Sequence, residues 1–508
     1  MRSENSIKNV VVTWIGLAFV AIFGYIERMV LANILGEVYL GLNGLLSNVI
    51  TVLSLAELGV GPAITYSLYK PISENDENQI KALMRLYKNF YVIIGIVVLA
   101  IGLLMTPFLP FLIKEMPTNV EHIYLIFVLF VINASVSYFF SYKAVFIAAN
   151  QRYYLYSANH AICYVIMYLV QIFVLITTRN FIIFLLVMVA TTFIENFRIS
   201  KIADREYPIL KSKEVHHIDE DTKKTIKVNV FASIGHNLGN VVLNSTDNII
   251  ISKFVGLVET AYYTNYVLLT ATLNTFLNQA FSSIVASIGN LIVEGTEEQK
   301  EDAFYLIYFV DFWIYSFCSV ALFVLASPFI TLTFGSNFIL SLPVVTVICW
   351  NFYAAGMRQA CNSFKQAAGL LIQDVHKAYI EAILNLGISI VLAQKLGIMG
   401  VLLGTLISIY AVAFWMEPHV LFKYGFKKKP WKYYGLYLLY FLTYGIMSAL
   451  TYWTVSMISI SGIAGFVIDM IVVCIVPNVI LLLIWGWTKE CRQFLLIMFN
   501  IVKKKMIK

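Results

Sequence analysis

Between Val10 and Val30 every residue is apolar, aromatic or small except Thr13, Glu27 and Arg28. A helix needs about 20 such residues to cross the roughly 30 Å hydrocarbon layer of a bilayer, and runs of that length recur to the end of the chain. They predict transmembrane helices near 9–35, 42–69, 87–113, 121–149, 157–178 and 181–200. A second set falls near 227–254, 262–292, 303–331, 341–369, 378–396 and 398–422, and two more near 433–457 and 462–487. Fourteen spans put both termini on the same side of the membrane.

The positive charges fix which side. Thirty of the 36 Lys and Arg residues fall at one set of helix ends, the last of them in "FKKKPWK" (426–432) and "KKKMIK" (503–508). The opposite ends receive Lys114, Arg179, Lys253 and Lys395, while Arg28 and Arg358 are left inside predicted helices. Cytoplasmic loops collect Lys and Arg, so the expected topology is N-in and C-in. The excess of cations, +7 overall, then needs no nucleic acid, because basic runs beside spans are drawn to anionic headgroups.

Composition agrees with a membrane protein. Hydrophobic residues make up 60% and charged residues 13%, against roughly 25% charged in a soluble domain, and the mean hydropathy is +0.79. The first apolar run is too long for a signal-peptide core and lacks a small-residue cleavage site. Six cysteines without CxxC spacing point to neither a disulfide framework nor a zinc site. The longest polar stretch, 203–227, reads as a cytoplasmic linker; its His216, His217, Asp219 and Asp221 have the donor atoms for a metal but read as solvated. This divides the chain into a six-helix bundle (1–202), the linker (203–227), a second six-helix bundle (228–425) and two added helices with a basic tail (426–508).

A weak internal repeat supports the two bundles. Shifted by 220 residues, "YIERMVLANILG" (25–36) falls on "STDNIIISKFVG" (245–256), placing Glu27 on Asp247, Arg28 on Asn248 and Gly36 on Gly256. The following helices carry Asn43 and Asn265 and end in the polar turns "ISENDENQIK" (72–81) and "EGTEEQKED" (294–302); with small gaps, Lys143 falls near Lys365. Six spans followed by six of the same orientation is a parallel-repeat transporter plan, with solute bound near mid-membrane.

Ionisable residues inside spans are by default candidates for that site. Arg28 and Arg358, with Glu27, are the candidate substrate-binding residues, since a guanidinium fork suits phosphate oxygens. Glu57, beside the Gly/Pro break of "GVGPA", Asp247 and Asp311 are the candidate ion-coupling or gating acids. The same charges could instead fix helix packing: Glu27 and Arg28 are adjacent, so each needs its partner on another helix. Phosphate-loop, G-x-S-x-G and H-E-x-x-H motifs are missing, so neither ATP hydrolysis nor hydrolase chemistry is expected.

The block "LGEVYLGLNGLLSNVITVLSLAELGVGPAITYSLYKPISENDENQIKALMRLYK" (35–88) resembles the early signature of bacterial Wzx-type polysaccharide flippases. "STDNIIISKFVG" and "GLLIQDVHKAYIEAILNLGISIVLAQKLGIMGVLLGT" (369–405) resemble later blocks of the same family. These belong to the multidrug/oligosaccharidyl-lipid/polysaccharide (MOP) exporter superfamily. The resemblance implies an all-α, alternating-access protein of the bacterial plasma membrane, made of two six-helix bundles. It would be no enzyme and hold no cofactor. It would flip an undecaprenyl-pyrophosphate-linked oligosaccharide unit for capsule or exopolysaccharide assembly, with a proton or sodium gradient to reset it. Partners would be that lipid-linked oligosaccharide, membrane lipids, and a polysaccharide polymerase with glycosyltransferases. Another cargo (peptidoglycan precursor, teichoic-acid unit or cationic drug) and a non-transporting assembly scaffold stay open, with a membrane glycosyltransferase further behind.

Overall fold

The computed structural model describes all residues except 1, 55–59, 213, 215–217, 219–223, 225, 227–229, 231–240, 242–244, 371–372, 374, 459 and 507–508. Its contacts divide the chain into two compact units, Met1–Ala261 and Tyr262–Lys508. The first holds α1 (Arg2–Leu35), α2 (Glu37–Leu53), α3 (Val60–Glu74), α4 (Glu77–Met105), α5 (Ile123–Ala149), α6 (Tyr153–Thr178) and α7 (Phe181–Glu206). It also includes α8, helical over 245–254, and the start of α9 (Leu257–Glu294). The second holds the rest of α9, then α10 (Glu297–Phe334), α11 (Leu342–Gly356), α12 (Gln359–Ala367) and α13 (Val375–Leu396). It ends with α14 (Ile398–Phe426), α15 (Trp431–Ser456), α16 (Gly462–Trp485) and α17 (Lys489–Met506). Among the described residues every regular element is helical.

Eleven of these helices are long and apolar enough to cross a membrane. The three expected spans without a single long counterpart each have a visible reason. The second is described as two pieces, α2 and α3, on either side of 55–59. The seventh falls largely on residues outside the description. The tenth is broken at Met357–Arg358 into α11 and α12, so Arg358 stands at a helix break rather than inside a helix. The basic tail holds a further helix, α17, which seats Phe494 against Trp313 of α10 with ring centroids 5.1 Å apart. Around both units many large apolar side chains on the helices are exposed, among them Leu104, Ile383, Ile463 and Leu483, all more than 70% exposed. A chain in water would hide them; lipid does not require it.

Three pairs of positions matched by the 220-residue shift, one of them with small gaps, have similar local geometry. Gly36 and Gly256 both have positive φ, 88° and 151°, and each turns one helix into the next. Asp76 caps α4 by accepting the Gln79 N–H at 3.0 Å, and Thr296, 220 residues later, caps α10 through the Gln299 N–H at 3.3 Å. Each cap satisfies an otherwise orphaned donor of the first turn. The Lys pair also matches: Lys143 donates to Asp204 of α7 at 2.7 Å, and Lys365 stands 4.0 Å from Glu417 of α14.

Aromatic residues carry much of the packing between helices. In the second unit, Phe312 stacks on Tyr440 with centroids 4.1 Å apart and Tyr353 on Tyr444 at 4.4 Å. These pairs hold α15 against α10 and α11. Trp313 Nε1 donates to Asn478 of α16 at 2.7 Å, so both added helices join the second unit by polar as well as apolar contacts.

Candidate functional site

Glu27 lies on the seam between α1 and α6. Asn9 Nδ2 donates to the Gln151 carbonyl at 3.0 Å, Thr13 Oγ1 meets Ser157 Oγ at 2.9 Å, and Gly24 leaves room for the Tyr168 ring. Positions 9, 13, 16, 24 and 27 recur at helical spacing, so Glu27 is turned inward beside Tyr168 and is buried. Its Oε1 has no hydrogen-bond partner among the described residues. The outer face of α1, with Val11, Ile15, Phe19 and Ile22, is exposed and apolar. Arg28 is half-buried, one position round the helix. Asp247 is buried near the start of α8. Glu57 lies outside the described residues, as do His216, His217, Asp219 and Asp221.

The first unit also contains a cavity of about 320 Å³ between α5, α6 and α7, lined by Tyr138, Tyr156, His160, Thr192, Glu195 and Asn196 among others. His160 Nδ1 lies 2.7 Å from Glu195 Oε1, and Asn159 Nδ2 donates to the Glu195 carbonyl at 3.1 Å. Tyr156 stacks on the His160 ring at 6.0 Å and Tyr164 tilts against it at 4.1 Å. Aromatic walls around a few fixed polar groups are the usual make-up of a small-molecule site. The sequence reading passed over these residues because its seven histidines form no cluster along the chain. The acid in "ATTFIENF" (190–197), inside an apolar helix, was the available signal.

In the second unit Arg358 belongs to a buried ion cluster. Its Nε and Nη2 donate to the two oxygens of Glu417 at 3.0 and 2.7 Å, and Nη1 donates to Glu381 at 3.1 Å. Lys377 Nζ donates to Glu417 at 2.5 Å. Both carboxylate side chains are 1% exposed. With Lys365 at 4.0 Å, three cations face two carboxylates. The bidentate fork on Glu417 is the strongest geometry available to an arginine. It ties the α11–α12 break to α13 and α14. Asp311 of α10 is fully buried and accepts the Ala360 N–H at 2.5 Å, which caps α12 from a neighbouring helix. The contacts found for Arg358 and Asp311 are thus contacts that hold the break in place. Glu381 and Glu417 were missed, although each is an acid inside an apolar run.

No family model and no curated protein matches the sequence, but solved structures do match the fold. The structure described as "Lipid II flippase MurJ, inward closed conformation" superposes with a TM-score of 0.66 at 13% identity, over 94% of this chain and 99% of that one. An inward-facing multidrug resistance MATE family transporter of the MOP superfamily gives 0.64 at 14% identity, over 78% of this chain and 92% of that one. A point mutant of the Vibrio cholerae MATE transporter VcmN gives 0.56 at 16%, over 84% and 99%. At these identities the likeness establishes the fold: this multi-pass membrane chain shares the architecture of these flippase and transporter structures.

Proposed function

We propose that this chain is a flippase that moves an undecaprenyl-pyrophosphate-linked oligosaccharide unit from the cytoplasmic to the outer leaflet of a bacterial plasma membrane. The observation that carries the reading is coverage. The structure named as a lipid II flippase matches 94% of this chain, whereas the MATE transporters match 78% and 84%. A fold match of that extent favours lipid-linked cargo over a small cationic drug. The Wzx-like blocks of the sequence favour an oligosaccharide for surface polysaccharide over lipid II itself.

In this reading Arg28 carries the pyrophosphate contact, while the Arg358 fork is committed to Glu417 and Glu381. Glu27, about 100° round the helix from Arg28, faces the α6 seam. The His160–Glu195 cavity supplies hydrogen-bonding and stacking surfaces of the kind sugars use. Asp247 and Glu57 are the candidate acids for a coupling proton or sodium ion, Asp311 being committed to the α12 cap. Polymerase and glycosyltransferase partners would act before and after the flip.

The test is a deletion strain complemented with variants, read for surface polysaccharide, lipid-linked precursor and membrane abundance. Arg28→Ala should lower surface polysaccharide by about tenfold to a hundredfold, the loss expected for one charge-assisted contact, while precursor accumulates and abundance stays normal. Unchanged export at normal abundance would take Arg28 out of the path. Accumulation of lipid II, with surface polysaccharide made normally, would instead make this a peptidoglycan-precursor carrier. Glu195→Gln tests the cavity separately: it keeps an acceptor for His160 but removes the charge. Export is expected to drop by about tenfold with abundance unchanged; export at the wild-type rate would make the pair a packing contact.

A further inference from the structure

A pocket of about 900 Å³ opens where α14 ends and α15 begins, and the α14 residues on one side of it flank Glu417 of the ion cluster. It arises from a tight reversal. α14 stops at Phe426, Lys427 takes a left-handed conformation (φ 53°), and the Lys428 N–H closes back on the Phe422 carbonyl at 2.9 Å. Pro430 then opens α15. The turn throws Lys423, Lys427, Lys428 and Lys429 around one rim of the pocket. The Lys428 ammonium is held by Glu301 of α10, and Lys427 feels Glu297. Lys423 sits over the Tyr424 ring at 5.2 Å. All four lysines are exposed.

The other wall is aromatic. Tyr434 lies between Trp415, at a centroid distance of 4.9 Å, and Trp431, at 6.2 Å, and its hydroxyl donates to the Trp415 carbonyl at 3.3 Å. Trp415 is 51% and Trp431 70% exposed. The pocket is thus cationic at the rim and apolar below it, at the end of two apolar helices. Trp and Tyr at such an end belong at headgroup depth, and basic pockets between membrane helices hold anionic headgroups. A soluble anion would use the lysines and leave the exposed indoles without purpose.

We propose that this pocket is a binding site for one anionic glycerophospholipid, its phosphate among Lys423, Lys427 and Lys429 and its acyl chains along the Trp415–Tyr434–Trp431 wall. The site is independent of the transported cargo. It would tether the α14–α15 turn to the membrane surface, with the lipid bridging an ion-paired helix end and an aromatic one.

The test is thermal unfolding of the purified full chain in neutral detergent, titrated with phosphatidylglycerol, with phosphatidylcholine of the same acyl chains, and with glycerol 3-phosphate. Phosphatidylglycerol should raise the melting temperature saturably; the other two should not. The K423Q/K427Q/K429Q variant spares the Glu301-paired Lys428 and should need on the order of a hundredfold more phosphatidylglycerol, at about fivefold per lysine near the surface. The K503Q/K504Q/K505Q variant, equal in charge removed, should titrate like wild type. If the triple pocket variant does not fold, Lys429→Gln alone should weaken the titration about fivefold. Three results would overturn the proposal: an unchanged titration in the pocket variants, an equal response to phosphatidylcholine, or a full response to glycerol 3-phosphate.

Discussion

Arg358→Met is expected to cost the fold about 3–5 kcal/mol, the usual penalty for removing one partner of a buried ion pair. The asymmetry of the cluster sets the outcome. Glu417 would keep Lys377 at 2.5 Å and Lys365 at 4.0 Å, but among the described residues Glu381 would keep only Lys377, at 4.0 Å. A nearly unpaired carboxylate would then remain inside a helix bundle, where water cannot reach it. The protein should melt well below wild type in detergent and fall in membrane abundance. Arg358→Lys retains the charge but not the fork, so it should fall between the two. Adding Glu381→Gln to Arg358→Met should recover part of the loss, because the double change removes both members of one contact. A melting curve for Arg358→Met that overlays wild type would mean that the break between α11 and α12 is held by other contacts.

The second large effect is expected at Gly400. α13 and α14 meet along a seam where Gly400 and Gly404 stand four apart, the spacing that lets two membrane helices touch backbone to backbone. A Cβ at Gly400 would lie 2.2 Å from the Leu392 carbonyl oxygen, and one at Gly404 would lie 2.2 Å from Ser389 Oγ. Across the same seam, Asn385 Nδ2 donates to Thr405 Oγ1 at 2.9 Å and Ser389 Oγ to the Val401 carbonyl at 3.1 Å. Gly400→Leu would push on backbone, which cannot rotate away, and would stretch both of those hydrogen bonds. The cost should reach at least the upper end of the ~1–3 kcal/mol typical of overpacking. Gly387→Ala is the control, since a Cβ there meets no atom within 4 Å. Equal melting temperatures for Gly400→Leu and Gly387→Ala would show that the two helices can part without loss.

Much of this architecture could be read along the chain, because membrane spans are local features. A run of apolar residues announces its own helix, and the repeat survives as Gly36 and Gly256, Asp76 and Thr296, at a constant offset of 220. The partners of the buried charges could not be read in this way. Glu381 and Glu417 reach Arg358 from 23 and 59 residues away, and no periodicity within one helix encodes that meeting. The break at Met357–Arg358 was equally silent, since the predicted span 341–369 has Pro only at its start. One signal was present and unused. The rule that made Glu57 a candidate, an acid close to a proline in an apolar segment, also selects Glu417, which directly precedes Pro418.

α14 shows how such a meeting is arranged. Two stretches of it, Ile409–Ala413 and Leu421–Phe426, are wound as π-helix, and Glu417 lies in the α-helical turns between them. Each wide turn takes up about one extra residue, which offsets everything beyond it by about 100° around the axis. The glycine face at 400 and 404 and the carboxylate at 417 are therefore aimed independently by one continuous helix. The first grips α13 by shape and the second grips Arg358 by charge. The winding of 409–413 acts as a phase adjuster between them, and a one-residue deletion there would leave the glycine seam closed while swinging the carboxylate out of the arginine's reach.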